Sequence, residues 1–344
     1  MAPPSGRGET LMRVAVIGCG KQAPKHLHGL RGAGLGNADL VVTDVDAGRV
    51  GALAAKEGVS AIPLDKVWDD AGINAVVIAT PTFTHAELAG KAIGSGKAFL
   101  CEKPLAGDGR EARALAERAE AVGVAGMVGY IYRSVPVFQH VRRLLHDETV
   151  LGRLNLALLR IGGRGSHQTW KHLRAHGGGA INEMLVHTLD LALWLFGAPN
   201  HVHLLASELR VPVRLINGRS ETVDAEDMVL VRLDYDAGPS VYLQADMLTP
   251  AFTQRLEAQG MHGTLVASIQ QEEPAYLFLT EKRGHHPSGR HALQHEDHDP
   301  YVTQSRTFLA AAAAGRKPAY GALHEAVLLH ELIDQLHLQQ EKFT

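Results

Sequence analysis

Three short segments carry residues whose types and spacing suit chemistry. The first is Gly18-Cys19-Gly20-Lys21-Gln22-Ala23, directly after the apolar run Val14-Ala15-Val16-Ile17. Its spacing is G-x-G-x-x-A. The first glycine permits a tight turn, the second lets a pyrophosphate reach the backbone, and Ala23 keeps helix and strand close. A helix opening there offers free N–H groups and positive potential to phosphates. A lone match of this kind is weak, but here a strand precedes it, a helix follows, and Asp44 ends the next strand. A carboxylate at that place accepts hydrogen bonds from ribose hydroxyls and repels a 2′-phosphate. The expected cofactor is therefore NAD, with NADP disfavoured. Arg49 nearby is the residue that would blur this preference, and an exposed turn acid is the plain alternative for Asp44.

The second segment is Glu102-Lys103-Pro104, placed where the strand Ala98–Cys101 ends. Ligands gather at the carboxyl ends of strands in open α/β sheets. Pro104 biases Lys103 toward extended backbone, so its side chain is aimed with little freedom. Such a lysine can exchange a proton with a substrate hydroxyl, given burial and a neighbouring positive charge to ease its deprotonation. As an isolated tripeptide it reads as an ordinary surface turn; the strand before it changes that. The third segment runs from Gly177-Gly178-Gly179 through Glu183, His187 and Asp190. As a helix it places the last three at i, i+4 and i+7, on one face. The rest of that helix is apolar nearly all round, so it is buried and its polar stripe needs partners. A satisfied buried His–carboxylate pair is the structural explanation; a catalytic histidine oriented by a carboxylate is the functional one.

The elements that must position these groups follow from the apolar pattern. Between residues 13 and 128, short apolar strands (14–17, 39–44, 75–79, 98–101) alternate with helical stretches, as in a parallel sheet covered on both faces. The right-handed crossover rule then favours a doubly wound Rossmann sheet. After about residue 130 the texture changes. Helices are predicted over 134–146 and 179–196, and strands between 200 and 282. Hairpins are predicted at Asp236-Ala237-Gly238-Pro239 and at Gly260–Gly263. Helices over 301–313 and 322–337 close the chain. The expectation is a dinucleotide-binding domain over 1–130 and an α+β domain with a mostly antiparallel open sheet over 131–321. The helix 322–337 is free in this reading to pack back on the first domain.

At 344 residues, with 45% apolar and 21% charged residues, the chain suits two globular domains and not a disordered one. A net charge of −3 lacks the basic footprint of a nucleic-acid binder. No apolar run approaches the length of a membrane span. Residues 1–8 lack a signal-peptide core and read as a disordered leader. Two cysteines, Cys19 and Cys101, suit a reducing cytoplasm, with Cys101 a packed strand residue. His291, His295 and His298 lie near Glu296, Asp297 and Asp299, yet their spacing matches no closed zinc pattern. That stretch reads as a solvated or cleft-lining loop, and no metal is expected.

Taken together, these segments resemble the glucose–fructose oxidoreductase, inositol dehydrogenase and rhizopine-catabolism (Gfo/Idh/MocA) family. The resemblance rests on Gly18–His26, Ala79-Thr80-Pro81-Thr82-Phe83-Thr84-His85, Cys101–Leu105, Tyr132-Arg133, the glycine-triplet helix with His187 and Asp190, and the closing helix. It implies hydride transfer between nicotinamide and a secondary alcohol or ketone of a sugar, nucleotide-sugar or cyclitol, and a homo-oligomer joined through the second sheet. It implies Lys103 and His187 as the proton-transferring pair, with Glu183 orienting His187. It places Thr80, Pro81, His85 and Glu102 along the cofactor, beside Gly18, Cys19, Gly20, Lys21, Gln22 and Asp44. Tyr132, Arg133 and Asp190 fall on the substrate side. Two departures stand out: Glu183 occupies a position where Asp or Asn is usual, and Leu185 one that is often Gly. The competing readings are a non-catalytic sugar or dinucleotide sensor on the same fold, and a dehydrogenase acting on a dihydrodiol or imine.

Overall fold

A computed structural model of the chain describes residues 12–164, 168–270, 272–293 and 298–342. The expected leader, residues 1–8, lies outside the described residues, as do His295, Glu296 and Asp297 of the histidine-rich segment. Two units emerge: Gly129 and the residues before it with Asp299–Ala326, and Tyr130–His298 with the residues from Val327 onward.

The first unit begins with β1 (Arg13–Ile17), α1 (Ala23–Gly32), β2 (Leu40–Thr43), α2 (Ala47–Glu57), β3 (Ser60–Ala61) and α3 (Leu64–Asp69). It continues with β4 (Ile73–Ile78), α4 (His85–Gly94), β5 (Ala98–Cys101), α5 (Gly109–Val122) and β6 (Gly126–Val128). The strands are parallel in the order β3-β2-β1-β4-β5-β6. Strands buried on both faces must be apolar throughout, and Val14–Ile17, Ala75–Ile78 and Phe99–Cys101 are all at most 1% exposed. The helices begin and end on local signals. Asp46 caps α2 through the Gly48 and Arg49 amides, and Gly58 closes it in the left-handed region.

The second unit holds α6 (Pro136–His146), α7 (Glu148–Leu151), β7 (Leu154–Gly162) and α8 (Val186–Phe196), the last preceded by a π-helical turn over Ile181–Leu185. The strands β8 (His201–Glu208), β9 (Val213–Ile216), β10 (Arg219–Thr222), β11 (Met228–Asp234) and β12 (Ser240–Asp246) follow. Next are β13 (Thr253–Gly260), β14 (Gly263–Ser268), β15 (Tyr276–Leu279) and β16 (Gly289–Ala292). β9 and β10 form a separate hairpin, and the main sheet runs β16-β15-β14-β13-β7-β12-β11-β8. Both predicted hairpins are present, pairing Leu233 with Val241 and Gln259 with Thr264. The central strand β7 is absent from the sequence reading. Its partners, β12 in parallel and β13 antiparallel, lie far along the chain, and its leucine-rich run carries no strand-specific signature.

The remaining helices are α9 (Pro300–Ala314) and α10 (Leu323–Gln340). The expected boundary is corrected here. Residues 299–321, assigned by pattern to the second domain, group with the first unit, because α9 packs along α1. Gly29 permits that approach: a Cβ there would lie 2.5 Å from the Tyr301 carbonyl oxygen and 2.8 Å from Ser305 Oγ. Most of α10 likewise belongs to the second unit, where Gln339 accepts the Leu204 N–H and donates to the Val202 carbonyl. Gly29→Val is expected to force α1 from α9 and to lower stability by about 1–3 kcal/mol, read from a chemical melt. An unchanged midpoint would show that the helices do not depend on this contact.

Candidate active site

In the first unit, the expected cofactor residues gather at the carboxyl edge of the parallel sheet. Gly18 leaves β1 with φ +98°, where a side chain would strike the Ala79 carbonyl. Its N–H donates to the Thr43 carbonyl at 2.8 Å. A Cβ on Gly20, by contrast, would meet no atom of the described residues within 4 Å, so the backbone there stands open to a phosphate. Asp44 is fixed at the end of β2: Oδ2 accepts the Cys19 N–H at 2.7 Å and Oδ1 accepts the Asp46 N–H at 3.0 Å. A carboxylate held this way keeps its remaining lone pairs for ribose hydroxyls. Burial and then the Asp44 charge push the Cys19 thiol up to about 11, so its contribution is structural. Lys21 is exposed, and Gln22 accepts a hydrogen bond from the Tyr301 hydroxyl at 3.2 Å.

Thr80 and Pro81 follow β4 at the same edge. The Thr84 hydroxyl donates to Thr80 Oγ1 at 2.7 Å. His85, expected along the cofactor, is instead 1% exposed and braces the loops behind it. Its Nδ1 lies 2.6 Å from the Pro104 carbonyl oxygen and its Nε2 2.8 Å from that of Thr80. Burial lowers its pKa, against the pull of both carbonyls. His85 thereby ties the Lys103–Pro104 turn to Thr80. Glu102 faces inward as well, with Oε1 2.8 Å from Nε2 of His26. Burial alone would raise the Glu102 carboxyl, yet the hydrogen bond and charge of His26, with Lys103 and His85, hold it below the usual range. In the sequence His26 figures only as the end of the Gly18–His26 segment that carries the family resemblance, with no role attached to it.

The second unit carries the expected polar stripe on a π turn and the helix α8 that follows it. The π turn adds a residue to the helical repeat at Ile181–Leu185, so Glu183 does not keep ideal α-helical phase with His187 and Asp190. Gly179, at φ +112°, sits over the carboxylate of buried Glu226, whose Oε1 accepts the Ile181 N–H at 3.0 Å and anchors the turn. His187 is half-buried and packs edge-to-face on Tyr132, with ring centroids 5.0 Å apart. Burial raises the Tyr132 phenol. Arg133 and Asp190, expected on the substrate side, are corrected: they are 1% and 2% exposed and bind each other. Arg133 Nη2 donates to Asp190 Oδ1 at 2.6 Å, and Nε lies 3.1 and 3.0 Å from the two oxygens. They fix the Tyr132 segment against α8.

Glu183, expected to orient His187, accepts from Lys171 Nζ at 2.5 Å. This lysine was missed because the loop that carries it has no periodic pattern. The two line a cleft of about 370 Å³ together with Arg164, Met184, Met247 and Phe252. Such a wall offers charged donors and an acceptor beside apolar surface, which suits a hydroxyl-bearing ring with an apolar face. In the histidine-rich segment, Asp299 caps α9 through the Tyr301 N–H at 2.7 Å, and His291 Nε2 lies 2.7 Å from the Pro287 carbonyl oxygen.

A parallel sheet with an open glycine turn, an anchored acid ending the second strand and a lysine along one edge defines a Rossmann-type dinucleotide-binding protein. Residues 12–130 match the model of the oxidoreductase family with an NAD-binding Rossmann fold, and residues 138–266 match the GFO/IDH/MocA C-terminal domain. The chain belongs to the Gfo/Idh/MocA oxidoreductase family, and its cofactor is NAD. Myo-inositol dehydrogenase Hyg17 of Streptomyces leeuwenhoekii is 30% identical over 322 residues, covering 92% of this chain and 93% of that one. Inositol 2-dehydrogenase of Rhizobium meliloti (strain 1021) is 26% identical over 314 residues, covering 90% and 91%. The solved structure of levoglucosan dehydrogenase in complex with NADH and L-sorbose has a TM-score of 0.85 at 19% identity, covering 96% and 97%; this likeness shows the fold. Among the described residues, no helix is long and apolar enough to cross a membrane.

Proposed function

We propose that this protein oxidises a secondary alcohol of a sugar, nucleotide-sugar or cyclitol ring, or reduces the corresponding ketone. NAD, when bound, supplies the hydride acceptor or donor at nicotinamide C4. Lys103 and His187 act together on the hydroxyl proton, taking it as the alcohol becomes a ketone and returning it in reduction. Glu183 is the carboxylate that supports the charge on His187, itself held by Lys171, and the pair presents a donor and an acceptor to ring hydroxyls. Gly18, Cys19, Gly20, Lys21 and Gln22 hold the pyrophosphate, Asp44 the ribose, and Thr80 and Pro81 the flank of the nicotinamide half. Tyr132 packs His187 in place.

The observation that carries this reading is Lys103 itself: it follows β5 at the same sheet edge as the open Gly20 turn and the anchored Asp44. The names of the relatives, inositol dehydrogenases and levoglucosan dehydrogenase, support a polyol ring as substrate. Two unpaired cysteines support a cytoplasmic setting. The face of the second sheet that exposes Leu158, Leu205 and Phe278 supports a homo-oligomer joined through it.

The purified protein, supplied with NAD⁺ or NADP⁺ and a panel of inositols, free sugars and nucleotide-linked sugars, is expected to form reduced cofactor with one of these classes, faster with NAD⁺. Calorimetric binding of NAD with no turnover on the whole panel would replace the enzyme by a sensor.

A further inference from the structure

His26 lies on α1, four residues past Gln22, and is 1% exposed. Its Nε2 is 2.8 Å from Glu102 Oε1, while its Nδ1 is buried with no hydrogen-bond partner among the described residues. A carboxylate oxygen only accepts, so Nε2 is the donor of this contact. Tyr301 closes the other side of the ring, edge-to-face at 5.5 Å between centroids, with Lys25 Nζ 5.7 Å over the Tyr301 ring. The titratable groups around Glu102 are His26, Lys103, His85 and the buried Cys101 thiol. Burial pushes the carboxyl of Glu102 up, and the His26 donor is the foremost of the groups that oppose this.

We propose that His26 is a positioning residue for Lys103: by donating from Nε2 it fixes the Glu102 carboxylate at the foot of the Lys103–Pro104 turn, and that carboxylate positions the adjoining lysine and sets the charge it faces. This rests on the reading of Lys103 as the proton-transferring lysine. Because α1 opens at the glycine turn, the same contact ties the seating of the dinucleotide to the lysine. His26, 1% exposed, acts through Glu102.

The test is a titration made without turnover. Lysines of the full chain are reductively methylated with ¹³C, and the Lys103 signal is identified by its loss in Lys103→Arg. His26→Leu is expected to lower the Lys103 titration midpoint by about one pH unit, the scale for losing a neighbouring opposite charge. His26→Gln, whose amide still donates to Glu102, is expected to restore the parent midpoint. An unmoved midpoint in folded His26→Leu would overturn the proposal. If that variant does not fold, Glu102→Gln removes the charge at constant shape and must lower the midpoint equally; no change there overturns it too. Failure of the substrate panel would remove the alcohol-oxidation reading without touching this titration, so the two failures are distinguishable.

Discussion

Lys103→Met is expected to cut kcat by about 10²–10⁴-fold, the range for loss of a positioned proton donor and acceptor. The dissociation constant for NAD is expected to stay close to that of the parent protein. Methionine keeps the length and much of the apolar stem but can neither hold nor release a proton. The contacts that would seat the dinucleotide lie elsewhere along the sheet edge: Gly20 is open, and Asp44 is anchored by the Cys19 and Asp46 amides. Steady-state kinetics should therefore show kcat and kcat/KM falling together, the mark of an interaction made in the transition state. Calorimetric titration with NAD checks the second half. A variant with near-parent kcat removes Lys103 from the reaction. One that loses NAD binding makes the lysine a cofactor ligand.

Removing either partner of the Arg133–Asp190 pair should produce the largest loss of stability. Three N···O contacts of 2.6–3.1 Å join two side chains that are both almost wholly buried, and the Arg133 guanidinium also lies 5.3 Å over the Tyr130 ring. Breaking a buried pair leaves an uncompensated charge, at a cost of about 3–5 kcal/mol. Asp190→Ala is thus expected to lower the melting temperature by roughly 10 °C, given about 2–4 °C per kcal/mol for a unit of this size. The double variant Arg133→Leu/Asp190→Leu should recover much of the loss, because no charge stays stranded. A double-mutant cycle of denaturant melts measures this directly. Additive losses in that cycle would mean the contacts contribute nothing as a pair. Activity should fall in Asp190→Ala as well, since the Tyr132 ring that packs His187 adjoins Arg133.

The parts of the site that could be read before any coordinates share one property: their causes lie within a few residues. Gly18 and Gly20 reveal a turn because only certain spacings serve a strand-to-helix junction, and Asp44 reveals itself by ending the neighbouring strand. Glu102-Lys103-Pro104 is legible because a strand stops there. The hairpins at 236–239 and 260–263 announce themselves by turn residues between alternating runs. The i, i+4, i+7 stripe of Glu183, His187 and Asp190 was legible only as far as an ideal helix holds, and the π turn at Ile181–Leu185 breaks that assumption. Nothing in Arg133 or Asp190 as residue types distinguishes a cleft-lining ion from a buried one.

Residue order was therefore enough to specify the Rossmann half, the glycine turn and the acid that ends the second strand. Packing alone settled the partners: Lys171 on Glu183, His26 on Glu102, His85 between two carbonyls, Arg133 sealed on Asp190, and α9 laid along α1. Local rules act through backbone geometry over a turn or two, whereas these contacts join residues as far apart as Gln22 and Tyr301, 279 positions along the chain. Which side chain meets a buried charge depends on how closely whole elements approach, and that is decided by steric fits such as Gly29 beneath the Tyr301 carbonyl.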